Sequence, residues 1–166
     1  MTFFYVLLLA ALVGVVAGLR ALTAPAVVAW AAAFGWISLD GTWAEWMAHP
    51  ITVAVLTVLA VTELVTDKLS RTPSRRTPMQ FATRLLTGGF AGAVLATGAI
   101  FDATAWEVIA GVGAAWIGAV VGTLGGAEGR KRLVAANDGH DLPVALTEDA
   151  IAVLGGFAVV ALALVI

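Results

Sequence analysis

The sequence predicts an all-α fold, a bundle of about six membrane-spanning helices that forms one integral membrane domain over residues 1–166. Two observations predict it. Of the residues, 61% are hydrophobic and only 12% are charged, whereas a soluble domain has about 25% charged residues. A soluble fold of this size buries about 68–70% of the surface that its unfolded chain exposes. So much apolar surface therefore excludes a soluble single domain.

The second observation is the length of the apolar stretches. A membrane-spanning helix needs about 20 mainly apolar residues. Proline, glycine or charged residues separate six stretches of roughly this length, which are residues 2–19, 22–39, 51–66, 80–101, 105–124 and 147–166. They leave no room for a second, soluble domain.

The first stretch has no basic region before it and leads directly into more apolar sequence, so we interpret it as a retained helix and not as a signal peptide. One helix over residues 2–39 would be about 57 Å long, and a bilayer core is about 30 Å thick. We therefore expect a turn after Gly18, with Pro25 in the first turn of the second helix. A kink is the alternative. Arg20 lies next to this break.

The third stretch ends in charged residues. Glu63 and Asp67 are four residues apart and share a helix face, and Lys68 follows. Glu63 lies about one turn inside the apolar region, where an ionisable side chain marks a functional or paired site by default. It is either a functional carboxylate or an interfacial carboxylate that Arg20 or Arg84 neutralises.

The loop at residues 70–78 contains two Thr-Pro steps, which predict a shaped loop. Its arginines, together with Arg84 in the fourth stretch, form a fork for phosphate or carboxylate or anchor the chain to anionic lipids. We retain Arg75 and Arg84 as site candidates and interpret Arg71 and Arg76 as anchors.

The fourth stretch resembles the first. Residues 12–18 (LVGVVAG) and 86–92 (LTGGFAG) match at Leu, Gly, Ala and Gly. Because the two spans would run in opposite directions, the match predicts a 3+3 inverted repeat, with halves 1–76 and 77–166, as in many secondary transporters. Chance alignment of Gly/Ala-rich helices is the alternative.

Small residues recur four positions apart in the first, fourth and fifth stretches. Such spacing lets membrane helices approach closely. We expect packing within the bundle, with a homodimer as the alternative, at Gly14/Gly18, Gly88/Gly92, Gly118/Gly122 and Gly122/Gly126.

The sixth stretch begins with polar residues. Thr147 is the predicted N-cap, and Glu148 and Asp149 would then lie at a helix N-terminus, where carboxylates are favourable. That accounts for one carboxylate, and we expect at least one of the two to face the bundle and pair with an arginine.

The charges also predict an orientation. Every Lys and Arg falls in the odd-to-even connections or beside them, and the positive-inside rule makes these ends cytoplasmic, with both termini outside. The other connections carry Asp40, Glu45, Asp102 and Glu107. An aromatic belt at the same outer face comprises Trp36, Trp43, Trp46 and Trp106. The candidate site for binding or ion pairing is the cytoplasmic cluster of Arg20, Glu63, Asp67, Lys68, Arg75, Arg84, Asp141, Glu148 and Asp149.

Several kinds of chemistry are absent from the sequence. The chain has no cysteine, which excludes thiolate metal sites and thiol nucleophiles. His49 and His140 have no companion at metal-ligand spacing. There is no Ser-His-Asp set, Walker loop or dinucleotide fingerprint. The net charge of −2 argues against a nucleic-acid partner. We expect no metal and no cofactor.

Taken together, Gly18-Leu-Arg-Ala-Leu-Thr-Ala-Pro25, Glu63-Leu-Val-Thr-Asp-Lys68, Thr72-Pro-Ser-Arg75, Gly122-Thr-Leu-Gly-Gly126 and Pro143 with Glu148-Asp149 resemble the domain-of-unknown-function family 4126. Its members are small bacterial membrane proteins. The resemblance covers nearly the whole chain. It implies an all-helical protein that crosses the bacterial cytoplasmic (inner) membrane several times, and it transfers no activity.

Two classes of function follow from the cluster, and a third from the bundle alone. The favoured one is a transporter or flippase for a small ion, an anionic solute or a lipid headgroup. A membrane-embedded enzyme on a lipid-linked substrate ranks lower, because no nucleophile or metal set accompanies the carboxylates. The third is a structural or assembly protein. Membrane lipids are the expected partners in each case.

Overall fold

A computed structural model of the chain describes residues 2–68 and 77–164. These residues form six α-helices, two short 3-10 turns and no β-strand, which confirms the all-α prediction. The 3-10 turns are Glu45–Ala48 and Leu162–Leu164. The helices are α1 (Phe3–Leu19), α2 (Thr23–Ala33), α3 (Pro50–Thr66), α4 (Pro78–Ala99), α5 (Ala105–Ala136) and α6 (Asp141–Ala161).

Among the helices of the described residues, two are long and apolar enough to cross a membrane. They are α5, with 32 residues, and α6 continued by the second 3-10 turn, with 24 residues, each with a mean hydropathy of 1.8 in its most apolar window. Only 33% and 39% of those windows are buried inside the chain, so much of their apolar surface faces outward. The apolar helices α1, α2 and α3 are shorter.

The break between the first two helices is a full turn. Helix α1 ends at Leu19 and α2 begins at Thr23, with Arg20 in an extended conformation at φ −141° and ψ 109°. Pro25 lies in the first turn of α2, where a missing N–H removes no helical hydrogen bond. The expectation of a turn at this position, instead of a kink, is confirmed.

Helix α2 is shorter than the predicted stretch of residues 22–39. It ends at Ala33 because Gly35 adopts a positive φ of 72°. The Gly35 N–H donates to the carbonyl of Ala32 at 3.0 Å, and the Trp36 N–H donates to that of Ala31 at 2.8 Å. These two bonds are the Schellman arrangement, which closes a helix at a glycine.

The last two helices also differ from their predicted bounds. Helix α5 continues through its basic residues to Ala136, and α6 begins at Asp141. The predicted N-cap at Thr147 is wrong, because the Thr147 hydroxyl donates to the carbonyl of Pro143 at 2.8 Å inside the helix. Glu148 and Asp149 therefore lie about two turns inside α6, away from its N-terminal amides.

Helices α1 and α5 pack backbone to backbone. A Cβ at Gly14 would overlap the carbonyl of Ala115, and one at Gly118 would overlap that of Ala11. A Cβ at Gly18 would overlap Ala119 in the same way. The step from Gly14 to Gly18 along α1 thus matches the step from Ala115 to Ala119 along α5, so the two helices are parallel. The predicted intramolecular packing accounts for these small residues.

Helix α4 is antiparallel to both α1 and α5. Gly88 faces Ala17 and Ala119, whereas Gly92 faces Gly111, nearer the start of α5. The relative directions of α1, α4 and α5 are those expected for spans one, four and five.

Candidate functional site

Four helices bring their charged ends to the same end of the bundle. The turn after α1, the last turn of α3, the first turns of α4 and the start of α6 meet there, beside the distal half of α5. We call this the charged end. Its described members are Arg20, Glu63, Asp67, Lys68, Arg84, Arg130, Asp141, Glu148 and Asp149.

Arg20 is the centre of the charged end. Its side chain is completely buried and faces carboxylates from two other helices. Nε and Nη2 lie 2.7 and 2.6 Å from Oδ1 of Asp149, and Nη1 is paired with Asp67. Nη2 is also 3.8 Å from Oε2 of Glu148. The expected pairing of an α6 carboxylate with an arginine is therefore found at Arg20.

Lys68, which follows the end of α3, joins the ion pairs around Arg20. Its ammonium is paired with the second oxygen of Asp149 and donates to the carbonyl of Leu64 at 2.7 Å. Asp149 thus accepts from cations on two different segments. One carboxylate therefore joins the buried Arg20 and Lys68 in a single group of ion pairs.

Glu63 has a different partner from the arginines that the sequence suggested. Its Oε1 accepts the N–H of Ala21 at 2.7 Å, and its Oε2 accepts the N–H of Leu22 at 2.7 Å. These amides stand at the N-terminus of α2, where helical N–H groups lack internal acceptors. The carboxylate therefore satisfies the donor end of the second helix.

Arg84 does the opposite for the first helix. It is 2% exposed, and its Nη1 donates to the carbonyl of Gly18 at 2.7 Å, with that of Ala17 at 3.5 Å. The last carbonyls of a helix lack internal donors, and a cation is favourable at that end. A carboxylate and a guanidinium from two other helices thus stabilise the two sides of the α1–α2 break.

Arg130 lies at the charged end, although it was not among the site residues that the sequence predicted. Its Nε and Nη2 bind both oxygens of Asp141 at 2.9 and 2.7 Å, and Nη1 lies 3.6 Å from Oε2 of Glu148. The planar guanidinium favours such a two-point contact. The sequence does carry a signal for this pair, because an arginine and an aspartate lie on either side of the short connection between α5 and α6.

Not every predicted member can be placed. Arg75 lies outside the described residues, as do Arg71 and Arg76. The other eight predicted site residues are at the charged end.

The opposite end has different chemistry. Between the chain after α2 and the α4–α5 connection lies an open cavity of about 1020 Å³, lined in part by Asp40, Trp43 and Asp102. The Trp43 indole N–H donates to the hydroxyl of Thr97 at 3.0 Å, which orients the ring. Trp46 stacks on Phe90 with a centroid distance of 6.0 Å. The sequence did not predict this cavity.

Within the described ranges, no group of three or more His, Asp or Glu side chains is arranged to hold a metal ion. Comparison of the chain with family models, with curated proteins and with solved structures finds no match.

Proposed function

We propose that the protein crosses the membrane several times and carries a small ion, an anionic solute or a lipid headgroup, using the charged end as its site. The observation that supports this most is Arg20, which is fully buried at a break between two helices and faces carboxylates from α3 and α6. Broken helices with buried ionisable groups are typical of transport sites.

The use of charge also favours a functional site. The chain has only 20 charged residues, 9 basic and 11 acidic, and nine of those that the structure describes lie at the charged end. Replacing a buried ion pair by apolar residues of similar volume is often neutral or stabilising. Stability alone is therefore a weak reason to place so many charges together in an apolar chain.

Two finer points belong to the same proposal. The charged end faces the cytoplasm of a bacterial inner membrane, with both termini outside, as the positive-inside rule predicts. The motifs around Gly18–Pro25 and Glu63–Lys68 support membership of the domain-of-unknown-function family 4126.

Flux into proteoliposomes tests the carrier. The probes are an entrapped pH-sensitive dye for protons, an electrode for chloride, radiolabelled succinate, and a fluorescent lipid with external quenching for headgroups. We expect the wild type to raise one of these fluxes, and Arg20→Gln and Glu63→Gln each to reduce it at least tenfold, which corresponds to about 1.4 kcal/mol.

Matched controls remove exposed charges of the same types. Arg132→Gln breaks only an exposed pair with Glu128, and Glu107→Gln changes an exposed helix cap. Both should keep the wild-type flux. Equal rates in liposomes with and without protein, or in wild type and both site variants, would contradict the proposal.

A structural role is the second candidate, and one observation favours it. Arg20 has no exposed surface and its guanidinium is surrounded by carboxylates, as in a closed ionic lock. This role predicts that Arg20→Gln lowers the melting temperature and leaves every flux unchanged, so the same variants separate the two candidates.

A further inference from the structure

The cavity at the end opposite the charged end has the size of a ligand site. Its volume is about 1020 Å³, and sites for small molecules have volumes of about 300–1,000 Å³. One wall is the chain that follows α2, and the other is the end of α4 with its connection to α5. The proposed carrier uses the charged end, so this cavity has no part in that site.

Two hydrogen bonds hold the walls of the cavity together. The Ser38 N–H donates to the carbonyl of Gly98 at 3.0 Å, and the indole N–H of Trp43 donates to the hydroxyl of Thr97 at 3.0 Å. The walls also approach closely, because a Cβ at Gly98 would lie 2.8 Å from the side chain of Leu39. The cavity is therefore preformed, which lowers the cost of binding a ligand there.

The lining of the cavity combines apolar side chains with carboxylates. Val108 and Ile109 supply apolar surface, and Asp40 and Asp102 come from the two different walls. Among the described residues, no lysine or arginine lines the cavity, and the sequence of the two segments contains neither type. A cleft lined by charges of one sign concentrates ions of the opposite sign, so the cavity favours a cation.

The two carboxylates of the lining are not used by the fold. Within residues 2–68 and 77–164, neither Asp40 nor Asp102 is held by a hydrogen bond or an ion pair of its side chain. The other two acidic residues at this end each accept a backbone N–H close to them in the chain, Glu45 at 3.2 Å and Glu107 at 2.8 Å. The aspartates are thus the carboxylates that remain for a ligand.

Trp43 adds aromatic surface to the same cavity. Its indole N–H is satisfied by Thr97, and 52% of the residue is exposed. A cation over the face of an indole ring is attracted by the quadrupole of the ring. A bare metal ion fits this lining poorly, because no three carboxylate or imidazole groups of the described residues are arranged to hold one. An organic ammonium matches both the charge and the apolar surface.

We propose that this cavity binds an organic ammonium group that carries an apolar ring or chain, with Asp40 and Asp102 as its counter-charges and Trp43 as its aromatic wall. The inference goes beyond the proposed carrier, because it assigns a second site at the other end of the bundle. The ammonium belongs to a free solute or to the headgroup of phosphatidylethanolamine, which have this chemistry in common.

Equilibrium dialysis with radiolabelled 2-phenylethylammonium tests the site. The protein is held in dodecyl maltoside micelles, and empty micelles measure the partition of the probe into detergent. We expect saturable binding with a dissociation constant of about 1 mM. Binding of 2-phenylethanol, which has the same ring and no charge, should be at least about tenfold weaker, because it lacks the attraction to the carboxylates and to the indole.

Variants identify the residues that bind the probe. Asp40→Asn combined with Asp102→Asn should weaken binding of 2-phenylethylammonium about tenfold, because both counter-charges are lost. Trp43→Leu keeps an apolar wall and should weaken it about threefold, through loss of the cation–π contact. The matched control is Glu107→Gln, which removes a carboxylate at the same end that does not line the cavity and should keep the wild-type affinity.

The source of the ammonium is separated by competition. Phosphatidylethanolamine is added to the micelles with the probe, and phosphatidylglycerol, which has no ammonium, is the control lipid. Displacement of the probe by phosphatidylethanolamine alone supports the site and identifies a lipid headgroup. Retention of the probe with both lipids supports the site and identifies a free ammonium solute.

Three results would overturn the site. They are probe binding equal to that of empty micelles, equal binding of 2-phenylethanol, and wild-type affinity in the double aspartate variant. The first two need only the wild type, so the test holds even if a variant does not fold. Because the readout is binding and not flux, binding without transport leaves this site and removes the carrier, and transport without binding does the reverse.

Discussion

At the scale of single residues, the charged end is organised by backbone as much as by ion pairs. Glu63 was predicted as a functional carboxylate or as one that an arginine neutralises, and Arg84 as part of an anion-binding fork or as a lipid anchor. In the structure Glu63 accepts the amides of Ala21 and Leu22, and Arg84 donates to the carbonyl of Gly18. Sequence reasoning identified which residues matter because ionisable side chains are rare in this chain. It did not predict these backbone partners, because backbone groups freed by a helix break carry no sequence signal.

A substitution at Arg84 tests this account of the break. Arg84→Met keeps the unbranched stem of the side chain as far as the position of Nε and removes the guanidinium group that donates to Gly18, so a buried carbonyl loses this donor. We expect a loss of about 1–3 kcal/mol in the free energy of unfolding, measured by thermal or SDS-induced unfolding in detergent micelles.

The comparison for Arg84→Met is Arg132→Met. The Arg132 side chain is 78% exposed, and its loss should change stability by less than about 0.5 kcal/mol. Equal stability of the two variants would show that Arg84 does not stabilise the end of α1.

At the scale of helices, the sequence predicted which helices exist and in what order more accurately than it predicted where each helix begins and ends. All six stretches contain a helix, and the turn near Arg20 is where Gly18 and Pro25 indicated. The observed helix ends differ from the predicted ones where local contacts outweigh hydropathy. Gly35 closes α2 early, and the pairs of Arg132 with Glu128 and Arg130 with Asp141 accompany the extension of α5 beyond the apolar stretch.

Glycine substitutions on α5 test the close packing of helices. A Cβ at Gly118 would overlap the carbonyl oxygen of Ala11, whereas a Cβ at Gly125 would meet nothing within 4 Å. Gly118→Ala should therefore lower the free energy of unfolding by about 1–3 kcal/mol through overpacking. Gly125→Ala should raise it by up to about 1 kcal/mol, because alanine favours the helix.

Thermal unfolding of both glycine variants in the same detergent gives the comparison. Shifts of the same sign and size in Gly118→Ala and Gly125→Ala would mean that α1 and α5 do not pack backbone to backbone.

At the scale of the whole molecule, the protein is a helical bundle with two chemically different ends. The buried ion pairs and the α1–α2 break lie at one end, and Trp43, Trp46 and an open cavity lie at the other. Charge placement along the sequence predicted this polarity, because helices that alternate in direction bring every second connection to the same end. The parallel contact of α1 with α5 and the cavity depend on three-dimensional packing, which hydropathy does not encode.

We propose that this bundle crosses the membrane with its charged end on the cytoplasmic side, and the side of each end can be measured. The chain has no cysteine, so Ser38→Cys at one end and Ala135→Cys at the other each introduce a unique thiol at an exposed position. Labelling of intact cells with a membrane-impermeant maleimide shows on which side of the membrane each thiol lies. We expect Ser38→Cys to react in intact cells and Ala135→Cys to react only after the cells are opened. Equal reaction of both thiols in intact cells, or recovery of the protein in the soluble fraction, would contradict it.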